Sequence, residues 1–362
     1  MAANIDISAL TMNPIEVDSI GEFIVEKTFS DPVLNSIHTV WTGITMKEQI
    51  VFAAQMGLTG IKDSTCTRPN SGAESVLTQK YWMPANIGDT LVHCQTDVNS
   101  LFKAYYSKIQ KYTDLYDITG TDLEKFFSVM LTEAMAKSIL RIAWLGDLNV
   151  AASGAAADGL ILVANVKFYD QIDGFWAQIF DGVTAGDITH STTKLAALNA
   201  LTSTATQVVL AAGDSVAVFE EMWAKADSRL RGDDTAQFLC SREVFENYRQ
   251  YLQGKGENFS IDYTMDGLPT LKWNGVNVVN MENIWDLRLR ADFEQDSTNN
   301  AYILPNRVVL STPANLPIGT LNESDMSELD VWYEKKERQS YSAFGYTLDA
   351  KVLEDYMIVV NY

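Results

Sequence analysis

Residues 121–147 read TDLEKFFSVMLTEAMAKSILRIAWLGD, which is the clearest helical pattern in the sequence. Thr121 and Glu124 match a capping box, in which each side chain satisfies a free backbone N–H at the helix start. Gly146 ends the pattern, so we predict a helix over 121–145, about 24 residues and roughly 36 Å long. Six apolar residues recur every three or four positions and therefore share one face: Leu123, Phe127, Leu131, Met135, Ile139 and Ile142.

The segments before this helix are predicted to be extended. Residues 1–40 contain short apolar clusters without a helical period, which is typical of an arm that packs on another surface. Further along, two β-prone runs at 50–52 and 82–94 flank a turn-rich stretch at 64–72. We expect these two runs to form one long hairpin, with Gly88 interrupting the second run.

The segments after this helix contain two more predicted helices. Residues 147–213 are rich in small residues and show no clear pattern. A helix is predicted over 214–231, ended by Gly232, with five apolar residues on one face: Val216, Phe219, Trp223, Ala226 and Leu230. A strand is predicted over 237–240, followed by a helix that begins at Ser241 and ends at Gly254. The apolar side of that helix is formed by Val244, Tyr248 and Leu252.

The C-terminal third is predicted to be rich in strands. Asn274-Gly275 lies between alternating apolar residues within 266–280, which favours a hairpin with a type I′ turn. Residues 302–312 indicate another strand, interrupted by Pro305. Residues 331–362 indicate several strands, the last of them at 357–360.

The composition is that of a globular protein with an acidic surface. The chain has 362 residues, of which 47% are apolar and 20% charged, and its net charge is −20. This charge argues against a function that depends on holding phosphates through a broad basic surface. Three separated cysteines, Cys66, Cys94 and Cys240, favour a reducing compartment. We expect no secretory signal and no membrane span.

The sequence assigns no residue to catalysis, to a cofactor or to a metal. It contains no P-loop, no HExxH, no GxSxG and no complete GxGxxG motif. His93 and Cys94 are neighbours on a predicted strand, so their side chains point to opposite faces and do not form a nucleophile–base pair. Asp292, Glu294 and Asp296 resemble the start of a calcium loop that lacks its glycine and its bidentate glutamate. A solvated acidic loop is the expectation there.

Five short strings point to one family. They are RIAWLGD at 141–147, IDGFWAQI at 172–179, WNGVNVV at 273–279, LPNR at 304–307 and NLPIGT at 315–320. Together with the order of the elements, they resemble the major capsid proteins of tailed phages, of the Hong Kong 97 type. The strings look like those of one subgroup, which is associated with phages of Bacteroidetes hosts. The resemblance covers nearly the whole chain, and none of its strings is a catalytic fingerprint.

This resemblance implies an α+β fold, the Hong Kong 97-like capsid fold. Its parts are an N-terminal arm that lies across a neighbouring subunit, an extended loop that reaches over the next subunit, a peripheral domain built on a spine helix, and an axial domain. The implied ranges are 1–40 for the arm, 41–97 for the loop region, 98–210 and 331–362 for the peripheral domain with its spine helix at about 121–145, and 211–330 for the axial domain.

The resemblance also implies partners. The chain is expected to assemble with itself, as pentamers and hexamers, into the icosahedral or prolate head of a virion inside the host bacterial cytoplasm. A separate scaffold protein, a portal and decoration proteins are the other expected partners. The packaged double-stranded DNA is expected to be enclosed without specific binding, and no membrane, cofactor or enzymatic activity is expected.

Two questions stay open at the level of sequence. Some family members crosslink a loop lysine to an asparagine of a partner, and Lys47, Lys62 and Lys80 lie in the loop region. An ordinary surface lysine is the simpler interpretation of each. The alternative functions are another virion assembly component and a cytosolic enzyme of unknown chemistry.

Overall fold

The computed structural model describes most of the chain from residue 34 onward. The described residues are 34–53, 77–94, 122–150, 160–161, 165–255, 261–263, 269–294, 300–321, 330–334, 336–337 and 339–362. Residues 1–33 of the predicted arm, the turn-rich stretch 64–72 and the capping residue Thr121 therefore lie outside the described residues.

The chain forms a mixed helix and sheet fold. The helices are Leu34–Ile37 (α1), Asp122–Leu145 (α2), Phe175–Ala185 (α3), Leu195–Leu198 (α4), Asp214–Lys225 (α5), Ser228–Arg231 (α6), Arg242–Lys255 (α7) and Asp286–Asp292 (α8). The strands are Val40–Thr42 (β1), Gln49–Ala53 (β2), Leu77–Tyr81 (β3), Ala85–Cys94 (β4), Leu160–Ile161 (β5), Thr189–Ser191 (β6), Gln237–Cys240 (β7), Ile261–Tyr263 (β8), Pro269–Trp273 (β9), Val276–Asn280 (β10), Phe293–Glu294 (β11), Val308–Ser311 (β12), Ile318–Thr320 (β13), Asp330–Glu334 (β14), Gln339–Ala350 (β15) and Ile358–Asn361 (β16).

A seven-stranded sheet separates two hydrophobic cores. Its order among the described strands is β6-β16-β12-β7-β10-β9-β8. The strands β7, β12 and β16 are buried along their whole length. Leu239 and Val309 pack into the first core, whereas Phe238 and Leu310 pack into the second. Successive side chains on a strand point to opposite faces, so these continuously apolar strands are covered on both sides.

Different helices build the two cores. The first core contains α2, α3 and α8 together with residues of a five-stranded sheet, and it includes the buried indoles of Trp144, Trp176 and Trp285. The second core contains α5 and α7, and Phe219 lies at its centre against Phe238, with ring centroids 4.7 Å apart. Each of these helices therefore buries apolar side chains in one of the two cores, with α2 lying against the five-stranded sheet.

One long strand dominates the five-stranded sheet. The strand β15 has 12 residues and pairs antiparallel with β4 over almost its full length. On its other side, the first half of β15 pairs with β14 and its end pairs with β13, which is joined by β1. The helix α2 lies against β15, and the hydroxyls of Ser138 and Tyr346 form a hydrogen bond between them.

Several predicted elements are confirmed. Helix α2 ends at Leu145, directly before Gly146, and Met135, Ile139 and Ile142 are buried on its predicted face. The other predicted positions of that face, Leu123, Phe127 and Leu131, lie outside the described side chains. The strand at 237–240 and the strand-rich C-terminus are also present.

The hairpin predicted around Asn274-Gly275 is confirmed in its turn type as well. The strands β9 and β10 pair antiparallel, with Trp273 opposite Val276. Asn274 and Gly275 have φ values of 48° and 87°. A type I′ turn requires positive φ at both central residues, which is why the Asn-Gly pair predicts it so strongly.

The hairpin predicted between 50–52 and 82–94 is wrong. The first run does form β2, but β2 pairs with β3, and the second run forms β4, the neighbour of β15. Gly88 does not interrupt β4. A Cβ at this position would lie 2.9 Å from the carbonyl oxygen of Phe344, so the glycine permits a close approach of the two backbones.

The helix predicted over 214–231 is divided in two. Helix α5 ends at Lys225, the backbone of Ala226 is extended, and the carboxylate of Asp227 accepts a hydrogen bond from the N–H of Arg229 at the start of α6. Aspartate at a helix start competes with continued helix for this reason. Phe219, Ala226 and Leu230 are buried as predicted, but Val218 and Met222 complete the buried face in place of the half-buried Val216 and Trp223.

Two further boundaries differ from the prediction. Ser241 precedes α7, but its hydroxyl accepts a hydrogen bond from the N–H of Arg307, and the helix continues through Gly254 to Lys255. The buried residues of α7 include the predicted Val244, Tyr248 and Leu252. The strand predicted over 302–312 is limited to β12, which begins only after Pro305 and Arg307.

Candidate assembly surfaces

The strands β2 and β3 form a separate two-stranded ribbon. They pair antiparallel from Gln49 opposite Tyr81 to Ala53 opposite Leu77, and within the described part of the chain no third strand joins them. The base of this ribbon is closed by Trp82, whose carbonyl accepts from the N–H of Lys47. A two-stranded ribbon is marginally stable in water by itself. We therefore expect this ribbon to be stabilised by contact with a further surface.

Exposed apolar side chains cluster on the ribbon and at its base. We call this the ribbon-base surface, and its members are each at least 36% exposed: Trp41, Met46, Val51, Tyr81 and Met83. The indole rings of Trp41 and the buried Trp82 are 5.7 Å apart. Single exposed apolar residues are ordinary on a protein surface, but several on one structural unit are typical of an interaction site.

A second exposed aromatic feature lies at the free end of the β14–β15 pair. Trp332 and Tyr341 are opposite each other on the two strands, and their rings stack with centroids 5.3 Å apart. Trp332 is 42% exposed. An aromatic cross-strand pair stabilises the end of a sheet and also offers a flat apolar surface to a partner.

His38 fixes the chain that enters from the N-terminal segment. Its Nδ1–H donates to the carbonyl of Leu316 at 2.9 Å, and its Nε2 accepts from the indole N–H of Trp144 at 3.0 Å. The ring also stacks on Phe175, with centroids 5.1 Å apart. These contacts require the neutral imidazole, and burial lowers the pKa of His38 to about 4. The residues that follow join the five-stranded sheet as β1.

Four of the five strings that gave the family resemblance meet in the first core. Trp144 lies in the first string, Phe175 and Trp176 in the second, and Leu316 in the fifth. From the fourth string, the guanidinium of Arg307 lies 4.8 Å from the ring centroid of Trp176. The third string forms the hairpin in the second core. Residues of these strings therefore help to build the interior that positions the surfaces.

Solved structures share this arrangement of elements. The capsid structure of the cyanophage P-SCSP1u superimposes with a TM-score of 0.51 at 13% identity, over 95% of this chain and 91% of that chain. A structure of Gordonia phage Cozz gives a TM-score of 0.51 at 11% identity, over 93% and 88% of the two chains. This chain has a phage capsid fold. Neither a protein-family model nor a curated protein matches the sequence.

One buried acidic residue of this chain was not predicted from the sequence. Asp286 begins α8 and is buried, and its Oδ2 accepts a hydrogen bond from the N–H of Arg242 at the start of α7, at 3.1 Å. Burial raises its pKa to about 7, and the nearby carboxylates of Glu282 and Glu243 add to this effect. The sequence gives no sign of it, because aspartate at the start of a helix is usually solvated.

The first two acidic residues of the stretch 292–296 lie in a helix and a strand, not in the solvated loop that the sequence predicts. Asp292 is the last residue of α8, and its carboxylate accepts a hydrogen bond from the hydroxyl of Tyr169 and lies 3.8 Å from the guanidinium of Arg288. Glu294 lies in β11, which pairs with β5, and Asp296 lies outside the described residues. The fold brings Tyr169 and β5 to this stretch from distant positions in the sequence, whereas Arg288 is four residues away on the same helix.

The lysines considered for crosslinking differ in their surroundings. The ammonium of Lys80 donates to the carboxylate of Asp355 and to the carbonyl of Val352, both at 2.8 Å, and so ties the ribbon to the C-terminal segment. Lys47 is exposed and has a φ of 62°. Lys62 lies outside the described residues.

Metal clusters and membrane-spanning helices are absent from the described part of the chain. Within them, no group of three or more His, Cys, Asp or Glu is placed to hold a metal ion. None of the helices described is both long and apolar enough to cross a bilayer. Cys240 is a free thiol in the second core, where burial raises its pKa and suppresses its reactivity. His93 and Cys94 do lie side by side on β4.

Proposed function

We propose that this chain is the major capsid protein of a tailed phage, of the Hong Kong 97 type, and that it assembles into the head that encloses double-stranded DNA. The phage capsid fold carries this proposal. The ribbon supports it, because its exposed apolar side chains lack a covering element among the described residues of their own subunit. A second copy of the chain provides such a cover in a closed shell.

The parts of the chain receive roles in this proposal. The ribbon belongs to the extended loop region, 41–97, which reaches over a neighbouring subunit, and residues 1–40 form the arm. Helix α2 is the spine of the peripheral domain, which takes residues 98–210 and 331–362. Residues 211–330, which contribute most of the second core, form the axial domain, whose tips meet at the five-fold and six-fold centres.

The assembly itself gives the proposed partners. Pentamers and hexamers of the chain form the shell, and weak contacts suffice because each subunit makes several of them at once. A separate scaffold protein, a portal and decoration proteins complete the head. The head forms in the cytoplasm of a bacterium. The strings at 141–147 and 172–179 support a host among the Bacteroidetes. The role is structural and non-enzymatic.

The decisive experiment measures particle size. The purified full chain is examined by light scattering and negative-stain electron microscopy at low and high concentration, alone and after co-expression with candidate scaffold proteins from the same genome. Rings of five or six subunits, or closed shells, are the expected result. A compact monomer under every one of these conditions contradicts the proposal and directs the work to a screen for ligands.

A further inference from the structure

Two adjoining cavities beside α2 form what we call the basic groove. The first, of about 300 Å³, lies between α2 and α8, and the second, of about 580 Å³, lies between α2, β4 and the short turn at 166–168. Arg141 lines both. Four cationic side chains define the groove: Lys137, Arg141, Lys167 and Arg288.

The positive charge of the basic groove is poorly neutralised. Lys137, Arg141 and Lys167 form no ion pair with a described residue, and the Nε of Arg141 is buried without a hydrogen-bond partner there. Asp89 is the one carboxylate that lines either cavity among the described residues. A chain with a net charge of −20 thus concentrates unpaired cations at one place, which indicates a site for an anionic group.

The basic groove is also apolar along its length. Leu140 and Ile284 line the first cavity together with Leu287, which is 38% exposed. Ile87 and the 39% exposed ring of Phe168 line the second. Such walls suit a peptide that carries both apolar and acidic side chains better than a nucleic-acid backbone, which is charged and hydrated on its outside.

We propose that the basic groove holds the acidic N-terminal segment of the same chain, residues 1–33, in the unassembled subunit. This segment has six acidic residues and one basic residue, Lys27. Residues 15–18 read IEVD, so that an extended conformation directs two apolar side chains to one side and two carboxylates to the other. The segment therefore matches both the charge and the apolar lining of the groove.

The anchor of this segment is bonded to the same helix that lines the groove. His38 is hydrogen-bonded to Trp144, which follows Arg141 by three residues and Lys137 by seven on α2, a distance of roughly 5 to 11 Å along the helix axis. A segment tethered so closely has an effective concentration in the millimolar range. A few exposed charge pairs are then enough to seat it, and this seating requires no assembled shell.

Protection of Lys27 from a lysine-specific protease tests the proposal. Lys27 is the one lysine before residue 34, and the cleavage rate is measured on full-length protein diluted until light scattering shows monomers. The groove variant Lys137→Glu with Lys167→Glu is expected to be cleaved roughly tenfold faster than the wild type. The variant Glu16→Arg with Asp18→Arg is expected to behave in the same way, and the combination of all four changes is expected to restore protection. Raising the salt concentration from about 0.05 M to about 0.5 M is expected to accelerate cleavage of the wild type, because salt screens the charge pairs between segment and groove.

A matched control carries the same charge change elsewhere. Lys255→Glu with Lys272→Glu alters two exposed lysines at the end of α7 and on β9, neither of which lines the basic groove, and is expected to leave the rate unchanged. Equal rates in the wild type and the groove variant overturn the proposal. Protection that disappears on dilution also overturns it and assigns the segment to a second copy. The proposal is also overturned, in favour of nucleic acid, if the protein binds a duplex DNA oligonucleotide and the groove substitutions abolish this binding without changing the rate of cleavage at Lys27.

Discussion

Two buried titratable residues, His38 and Asp286, connect the stability of the subunit to pH in opposite directions. His38 has a folded pKa of about 4 against 6.5 in the unfolded chain, so the unfolded state binds more protons between these values. Asp286 has a folded pKa of about 7 against 3.8, so the folded state binds more protons between those values. Acid therefore destabilises the fold through His38 and stabilises it through Asp286. The two effects partly cancel in the wild type, and single variants separate them.

Replacing His38 with glutamine tests the first effect. Glutamine can donate to Leu316 and accept from Trp144, but it does not titrate. Stability that depends on neutral His38 is lost as the pH falls below 6.5. Between pH 7.5 and pH 5 the wild type is expected to lose about 2 kcal/mol relative to His38→Gln. Urea denaturation at a series of pH values measures this difference, and parallel pH profiles would contradict the prediction.

Replacing Asp286 with asparagine is expected to have the opposite pH dependence. Asparagine mimics the neutral acid and keeps an acceptor for the N–H of Arg242. The ionised aspartate is disfavoured by burial, so the wild type loses stability as the pH rises from 4 through 7. Asp286→Asn is expected to gain about 3 kcal/mol relative to the wild type between pH 5 and pH 8. The same denaturation series provides the test, and a gain that shrinks with rising pH would disprove it.

At the scale of elements, the end of α2 is fixed by a contact between two backbones. The N–H of Gly174 donates to the carbonyl of Gly146 at 2.9 Å. A Cβ on Gly146 would lie 2.6 Å from the carbonyl oxygens of Ile142 and Ile172, and a Cβ on Gly174 would lie 2.8 Å from that of Ala143. Both glycines lie in strings of the family resemblance. Glycine is required at each position because the two backbones approach too closely for a Cβ.

Alanine at Gly146 is therefore expected to destabilise the fold. The backbones must separate to admit the methyl group, at a cost of about 1–3 kcal/mol. Gly254 in α7 is the matched control, because a Cβ there meets no atom within 4 Å. Gly254→Ala is expected to stabilise the fold by about 0.5–1 kcal/mol, since alanine is the better helix former. Thermal and urea denaturation of both variants measure the two signs, and equal effects would refute the explanation.

At the scale of the whole molecule, the ribbon-base surface is expected to contribute to assembly and little to the stability of the single subunit. Val51 is 55% exposed on β2 and packs little within its own subunit. In the proposed shell this surface is buried against a second copy. A substitution that weakens this contact therefore weakens it in every subunit of the shell.

Serine at Val51 is expected to weaken assembly without unfolding the subunit. The assembled fraction at fixed concentration is expected to fall by roughly tenfold or more, because each lost apolar contact is worth about 1 kcal/mol and recurs in every subunit. The free energy of unfolding is expected to change by less than about 0.5 kcal/mol. Leu148→Ser, which alters a 51% exposed residue just past α2, is the control. Sedimentation together with denaturation checks both quantities, and normal assembly of Val51→Ser would exclude a contact at this residue.

Local patterns in the sequence were sufficient for some elements. Helix α2 and the turn at Asn274-Gly275 depend on side chains only a few residues apart, so spacing and turn chemistry predict them. The pairing of β4 with β15 was missed, because these strands are more than 200 residues apart in the sequence. A period of two residues shows that a strand is extended but does not identify its partner.

The sequence by itself determined the long helix, the hairpin turn, the acidic charge and the resemblance to a family of shell proteins. Only the tertiary structure decided which strands pair, which acids are buried and which surfaces remain uncovered. Asp286 and Asp292 illustrate the difference, since neither residue type nor spacing shows that one is buried and the other bonded to Tyr169. The physical reason is that burial and strand pairing arise from contacts between residues far apart along the chain, whereas propensity and periodicity report on neighbours alone.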